Sequence, residues 1–263
     1  MLDQLHRKID IQKTPKKIIS LVPSQTELLV DLGLEDQIIG ITKFCIHPIH
    51  LRKTKTIVGG TKNIKIDKIK ELQPDIILCN KEENTKEIVD ACEKIAPTHV
   101  SDIFTLDDAK ELIHQYGEIF AKRTEASKII LKLDFKLNDF KEFIQFKEKK
   151  KVAYFIWRKP WMVAANNTFI NHLLELNNLQ NIYTNKERYP EVELKKIRLE
   201  GDPDLVFLSS EPYPFKDEHA FEVGRFTHHA KTVFVDGEMF SWYGSRLLKA
   251  FDYFKKLHNR IHR

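Results

Sequence analysis

The first hundred residues alternate between strand-like apolar runs and short segments with helical spacing of apolar residues. Strands that alternate with helices favour a parallel sheet covered on both faces. This part of the chain therefore predicts an α/β lobe. Two capping boxes are predicted within it, from Ser24 with Glu27 and from Asn84 with Glu87. The predicted strands occupy residues 18–22, 38–42, 57–61 and 76–79.

The middle of the chain changes character, because residues 106–149 contain no proline and one glycine. Apolar residues there recur at helical spacing, which predicts one helix to about Lys122 and a long one from Thr124, as its N-cap, to Lys147. The predicted domains are an α/β lobe over 1–105, a helical linker over 106–150 and a second α/β lobe over 151–263.

A strand–helix–strand pattern occurs in both halves of the chain. The strands at 18–22 and 151–156 each lead into a helix, and the pairs Pro74-Asp75 and Pro203-Asp204 each precede a further apolar strand. This duplication predicts two Rossmann-like lobes joined by a single long interdomain helix. Two lobes imply a ligand cleft between them, since pockets form preferentially between domains.

Composition narrows the class of protein. The apolar fraction of 42% and the charged fraction of 31% are typical of a globular chain, and 43 basic residues are balanced by 38 acidic ones. This mixture disfavours a nucleic-acid partner. Cys45, Cys79 and Cys92 form no disulfide framework or CxxC metal pair. Without an apolar leader after Met1, the expected location is cytoplasmic, with a periplasmic one as the alternative if the true start lies upstream.

In the first lobe, the candidate chemistry follows the predicted strands, where ligands bind in open parallel sheets. Cys45 and His47, with Phe44 beside them, are candidate metal ligands, because a thiolate and an imidazole two residues apart reach one soft metal. Alternatives are a packed cysteine with a turn histidine, or a His47 that faces an organic ligand. Glu82 follows the strand at 76–79 and has no capping role.

In the second half, aromatic residues surround cations in loops after strands. Trp157 and Trp161 flank Arg158, and indoles offer stiff apolar faces to a planar ligand. The alternatives are core packing for these tryptophans and a hydrophobic staple for the loop before the last helix. The complete set of predicted ligand-binding residues is Ser24, Phe44, Cys45, His47, Lys62, Glu82, Trp157, Arg158, Trp161, Glu211, Tyr213, Trp242, Tyr243 and Arg246.

No catalytic motif is present in the sequence, so the chain is not expected to be an enzyme. Several segments resemble the periplasmic-binding family of cobalamin and iron–siderophore receptors, closest to the cobalamin-receptor branch and its helical-backbone metal receptors. These segments are KKIISLVPSQTELLVDLG (16–33), IVGGTKN (57–63), LQPDIILCNKEEN (72–84), IWRKPWM (156–162), EPYPF (211–215) and VDGEMFSWYGSR (235–246).

The resemblance implies a solute-binding protein for a corrinoid or another metal chelate, such as cobalamin, heme or a ferric siderophore, with no intrinsic cofactor. It further implies a monomer that delivers its ligand to an ABC permease. The acids that dock such receptors on the permease are not matched, since Lys86 and Ser241 occupy their places and Glu87 and Glu238 are displaced.

Two alternatives to a transport protein remain open at this point. One is a cytoplasmic binder or sensor of the same ligands without a transporter. The other is a metallochaperone or enzyme that uses Cys45 and His47. A bare metal ion would need about four ligands, so a chelate is favoured over an ion.

Overall fold

The computed structural model describes residues 1–262, which divide into two compact units. The first comprises residues 1–133 with 242–247, and the second comprises 134–241 with the residues from 248 onward. Each unit contains one five-stranded sheet. The predicted class, two α/β lobes joined by a long helix, is confirmed. The domain bounds at 105 and 150 stay a prediction.

The first sheet is wholly parallel, with the strand order β3-β2-β1-β4-β5. The chain therefore extends from β1 toward one edge and returns to β4 on the other side of β1. The central strands are buried on both faces, which explains their continuous apolar runs. The strands are β1 (Ile18–Ser20), β2 (Ile38–Ile41), β3 (Thr56–Ile57), β4 (Ile76–Asn80) and β5 (Thr98–Ser101).

Helices connect these strands, and their first residues differ from the predicted caps. The α1 helix starts with Pro23, Val22 is its N-cap, and no side chain caps it, so the box predicted for Ser24 is wrong. Thr85, not Asn84, caps α4 by accepting from the amide of Ile88. The helices are α1 (Pro23–Asp31), α2 (Leu51–Thr54), α3 (Ile66–Leu72), α4 (Lys86–Glu93) and α5 (Leu106–Ile119), with a 3-10 turn at Glu35–Gln37.

A single long helix, α6 (Arg123–Ile144), starts in the first unit and ends in the second. Its 22 residues span about 33 Å at the usual rise per residue. Thr124 lies inside its first turn, so its prediction as the N-cap is wrong by two residues. The predicted inward positions Leu133 and Phe140 are fully buried, which confirms the helical spacing.

The second sheet is built around β6. Parallel β9 and then β10 lie on one side of it, while parallel β8 and antiparallel β7 share the other side. The strands are β6 (Lys150–Trp157), β7 (Met162–Val163), β8 (Leu179–Asn181), β9 (Leu205–Ser209) and β10 (Lys231–Val235). The helices are α7 (Phe169–Leu176), α8 (Ile197–Glu200), α9 (Asp217–Gly224), α10 (Gly237–Ser241) and α11 (Leu247–Ile261), with a 3-10 turn at Leu194–Lys196.

Among residues 1–262, no helix is both long enough and apolar enough to cross a lipid bilayer.

Candidate functional site

Both sheets reverse their strand order at one point, between β1 and β4 in the first unit and between β6 and β9 in the second. Loops that leave the carboxyl ends of two such strands diverge to opposite sides of the sheet and open a crevice. In α/β proteins this is where ligands bind. The residues of these two edges are therefore the candidate site of each unit, and each edge is described separately below.

The loop before α11 belongs to the first unit, where a buried glutamine anchors it. Gln25 donates through Nε2 to the hydroxyl oxygens of Ser101, at 2.6 Å, and Tyr243, at 3.2 Å. Its Oε1 accepts from the hydroxyl of Tyr116 at 2.7 Å. Burial raises the pKa of Tyr243, so this hydroxyl stays protonated. Tyr243 and Ser24, which also contacts it, therefore hold the loop against α1.

A buried ion pair fixes the other end of the same loop. Arg246 donates through Nε to Glu27 at 2.7 Å and through NH2 at 3.0 Å. Each of the two side chains is only 6% exposed. Since Glu27 accepts both bonds, the guanidinium of Arg246, a predicted ligand-binding residue, is paired inside the protein.

Trp242 immediately precedes Tyr243 in the same loop. The guanidinium carbon of Arg246 is 4.9 Å from the centre of its indole. The ring of His47 meets the indole edge-on, with the centroids 5.4 Å apart. Of the predicted residues, the structure thus brings together His47, Trp242, Tyr243 and Arg246.

Cys45 is not placed to contact a ligand. Its thiol is fully buried and lies 3.1 Å from the hydroxyl of Thr26 and 3.3 Å from that of Thr42. Burial raises the pKa of the thiol, so it remains protonated and a poor metal ligand. Within residues 1–262, no group of three or more potential metal-ligating side chains occurs. The paired metal role of Cys45 and His47 is therefore not supported.

The remaining predicted residues of the first unit lie in the loops after β2, β3 and β4. Phe44 is half-exposed beneath the ammonium of Lys43, 5.0 Å from its ring centre. Lys62 donates to the backbone carbonyl of Glu82 and so ties two loops together. Burial raises the pKa of Glu83, which the sequence analysis did not select although it follows Glu82 directly.

In the second unit, aromatic rings form a wall at the carboxyl ends of β6 and β9. Trp157 is 40% exposed and packs edge-on against Tyr213, with the centroids 5.5 Å apart. Behind it, Tyr213 contacts the rings of Phe215, at 4.8 Å, and His219, at 5.3 Å. His219 is buried and was missed by the sequence analysis, although it lies six residues after Tyr213. The wall therefore has an exposed indole and a buried imidazole behind it.

Trp161 lies deeper than Trp157. Its ring stacks on Phe215 at 5.7 Å with an interplanar angle of 10°, and Phe155 meets it edge-on at 5.3 Å. Arg158 lies over the same indole and forms a salt bridge to Glu222 at 2.6 Å. These contacts favour the core-packing alternative for Trp161, while Trp157 remains open to a ligand.

Glu211 brings an acid to the same edge. Its Oε1 accepts from the hydroxyl of Ser241 at 2.7 Å, and its backbone carbonyl accepts from Ser209 at 2.6 Å. Gly237 lies against this turn, since a Cβ at its position would come within 2.6 Å of Glu211 Cγ. The loop after β9 is thus held at several points, and Glu211 and Tyr213 lie at fixed places on it.

Comparison with known proteins decides the family. The family model described as periplasmic binding protein matches residues 18–232. The chain belongs to this family. An uncharacterised ABC transporter substrate-binding lipoprotein, YvrC of Bacillus subtilis, is 24% identical over 261 residues, covering 94% of this chain and 81% of the relative. A vitamin B12-binding protein of Vibrio campbellii is 24% identical over 196 residues, covering 74% of this chain and 70% of the relative.

The fold has close counterparts among solved structures. The periplasmic heme-binding protein BhuT, in complex with two hemes, superposes with a TM-score of 0.82 at 15% identity, covering 94% of this chain and 97% of that one. Family and relatives together make the chain a solute-binding protein, as predicted from the sequence. Members of this family are binding proteins rather than enzymes.

The expectation of a cytoplasmic location is wrong. The family is one of periplasmic binding proteins, and YvrC is a lipoprotein of an ABC transporter, so the relatives work outside the cytoplasm. The cytoplasmic sensor without a transporter loses its basis for the same reason. What had suggested it was the absence of an apolar leader after Met1, and the position of the first residue given does not decide where a protein works.

Proposed function

We propose that this protein binds a metal chelate built on a planar macrocycle, a corrinoid or a heme, and delivers it to an ABC permease. The observation that carries the proposal is the aromatic wall of Trp157 and Tyr213 at the strand-order reversal of the second unit. An exposed indole beside fixed polar groups suits a large planar ligand, because such sites combine apolar faces with a few oriented hydrogen-bonding groups.

The proposal of a corrinoid or a heme is supported by similar proteins that bind vitamin B12 or heme. Vitamin B12 and heme share a flat tetrapyrrole-derived ring with polar groups at its periphery. We expect Tyr213, which packs against the Trp157 indole, and Glu211 on the same loop to contact those groups. In the first unit, His47, whose ring packs against Trp242, stays a candidate ligand contact. No resident cofactor is proposed.

Titration with three coloured probes tests the proposal. The purified chain is mixed with cyanocobalamin, hemin and a ferric siderophore, and binding is followed by absorbance and tryptophan fluorescence. We expect one-to-one binding of cyanocobalamin or hemin with strong quenching. In a Trp157→Phe variant most of the quenching should be lost, whereas a Trp161→Phe variant should keep it. If the protein binds only the siderophore, or none of the three probes, the proposal of a macrocyclic ligand is refuted.

Delivery to a permease is the second part of the proposal. Glu87 is an exposed side chain in the first turn of α4, and Glu238 lies in the first turn of α10. Glu87 is one residue from Lys86, and Glu238 is three residues from Ser241, the two docking positions inferred from the family resemblance. We therefore expect each glutamate to reach a cationic partner. Charge reversal at Glu87 should weaken stimulation of the permease ATPase in liposomes without changing ligand affinity. A matched reversal at Glu125, on α6, should change neither.

A further inference from the structure

The hydrogen-bonding state of Tyr213 follows from its neighbour His219. His219 is buried, and its Nδ1 accepts a hydrogen bond from the backbone N–H of Lys216 at 2.8 Å. A backbone N–H can only donate, so Nδ1 carries no hydrogen. The neutral ring therefore has its hydrogen on Nε2.

The hydrogen on Nε2 faces two oxygens, the nearer Tyr213 hydroxyl and the exposed Glu218 carboxylate at 3.5 Å. The distance between His219 Nε2 and the Tyr213 hydroxyl oxygen is 3.2 Å. Because Nε2 is the donor, the phenolic oxygen is the acceptor in this bond, and the phenolic hydrogen must point elsewhere.

Arg158 does not provide an acceptor for that hydrogen. Its hydrogen bond to Glu222 raises the pKa of the Arg158 guanidinium, and the nearby Tyr213 acts in the same direction. A guanidinium has donors only. The two groups that hydrogen-bond to the hydroxyl are therefore donors, and among residues 1–262 no hydrogen bond from the phenolic hydrogen to an acceptor is observed.

The ring that carries this hydroxyl is held in place. Trp157 packs on it from the exposed side, while Phe215 and His219 pack on it from behind. Tyr213 is half-buried, so part of it faces solvent at the carboxyl end of β9. Because the Tyr213 ring is held in place and its phenolic hydrogen has no partner assigned in the part of the protein that the structure describes, the hydroxyl is oriented to donate to a ligand.

We propose that Tyr213 is an obligate hydrogen-bond donor to the ligand, so that the ligand group facing it is an acceptor, either a carboxylate or an amide carbonyl at the rim of the macrocycle. This inference rests on the proposed function and deepens it. Groups that only donate, such as an ammonium, are rejected at this position because they would face a hydrogen. His219 is a positioning residue, which acts through Tyr213.

The first test needs no ligand. In the full chain labelled with ¹⁵N, long-range spectra of the imidazole nitrogens show which nitrogen of His219 carries the hydrogen near neutral pH. We expect the Nε2–H tautomer in the wild type and in a Tyr213→Phe variant, since the Lys216 amide fixes it. The Nδ1–H tautomer would overturn the assignment, because Nε2 would then accept the phenolic hydrogen.

The second test uses two probes, with carboxamide acceptors in cyanocobalamin and carboxylates in hemin. Tyr213→Phe keeps the ring packing and removes only the donor. We expect its affinity to fall about 2–10-fold for a carbonyl acceptor and about 10–100-fold for a carboxylate. The matched control is Tyr253→Phe, on α11, whose hydroxyl accepts from the Asp236 amide and which should leave affinity unchanged.

The outcomes separate the two proposals. Wild-type binding with unchanged Tyr213→Phe affinity would overturn the donor role and leave the proposed function standing. If the wild type binds neither probe, the proposal of a macrocyclic ligand is wrong. The proposal that Tyr213 donates to an acceptor on that ligand is then also wrong, whichever tautomer His219 has. Equal losses in Tyr213→Phe and Tyr253→Phe would indicate a general loss of folding and would also overturn the donor role.

Discussion

The two strand-end regions have the same topology and use their polar atoms differently. In the first unit, the amide of Gln25 and the hydroxyls of Tyr116 and Tyr243 bond to one another, and Glu27 neutralises Arg246 inside the protein. In the second unit, Trp157 is 40% exposed, and Tyr213, whose hydroxyl is 3.2 Å from His219 Nε2, is half-buried. We infer that the polar groups of the first region act as a platform that stabilises the loop before α11, whereas the second region exposes groups that a ligand can contact.

The largest effect is expected from breaking the platform at its ion pair. Glu27→Ala leaves the Arg246 guanidinium buried without its partner, because Glu27 provides both acceptors. Removal of one member of a buried pair typically costs about 3–5 kcal/mol of the free energy of unfolding. Chemical denaturation followed by circular dichroism measures the loss.

Replacing both members is the matched control. A Glu27→Leu, Arg246→Met double variant leaves no unpaired charge, so we expect it to recover most of the stability lost in Glu27→Ala. If Glu27→Ala is instead as stable as the wild type and loses only ligand affinity, the first region is a contact surface. The contrast between the two regions would then be wrong.

A smaller loss of stability is expected from the deeper tryptophan of the second unit. Trp161→Ala removes the stacking on Phe215 and the edge contact of Phe155. Since the ring is partly exposed, we expect about 2–4 kcal/mol, at or below the usual cost of truncating a core aromatic. Thermal unfolding checks the loss, and a Trp161→Phe variant should recover part of it. A variant of unchanged stability with weakened ligand binding would return Trp161 to the set of contact residues.

The sequence predicts local elements well because their causes are local. Apolar periodicity places β4 and the long helix α6 to within a few residues of their observed bounds. The strand-end positions of Trp157 and Tyr213 follow from the same pattern. The duplication likewise predicts two α/β lobes, and each unit contains one five-stranded sheet.

What the sequence does not show depends on pairing over long distances. Glu27 has the spacing of a capping residue after Ser24, yet its partner Arg246 lies 219 residues away. Cys45 and His47 have a spacing that suggests a metal, but the chain turns the thiol inward toward Thr26. No local pattern distinguishes these outcomes, since each is decided by which residue of a distant segment fills the space.

His258, which belongs to neither strand-end region, should make the stability of the fold depend on pH. Burial, followed by the charges of His262 and Lys147, lowers the pKa of His258 to about 4. His258 packs against Phe140 and Phe143 on α6, and its Nε2 is 3.2 Å from the amide oxygen of Asn177. The neutral imidazole is therefore the form that the fold accommodates.

The direction of the pH effect follows from this shift. The unfolded chain takes up the proton near pH 6.5, whereas the folded chain resists it until about pH 4. The stability is fully present above pH 6.5 and is lost as the pH falls through this window, by on the order of 2 kcal/mol. Thermal unfolding between pH 7 and pH 4 should show this slope, and His258→Phe should reduce it. An unchanged slope in the variant would assign the acid sensitivity to other groups.

The smallest effect is expected from Trp157, and it should appear in affinity rather than in stability. Because its indole is 40% exposed and touches Tyr213 edge-on, truncation to alanine leaves no large cavity in the core. A stacked aromatic contributes roughly 0.5–1.5 kcal/mol beyond its buried area, so Trp157→Ala should weaken binding of the preferred macrocycle by about 2–10-fold. Isothermal titration alongside thermal unfolding separates the two quantities. A shift in unfolding as large as that of Trp161→Ala, with unchanged affinity, would show that Trp157 belongs to the core and that the second region has no exposed aromatic contact.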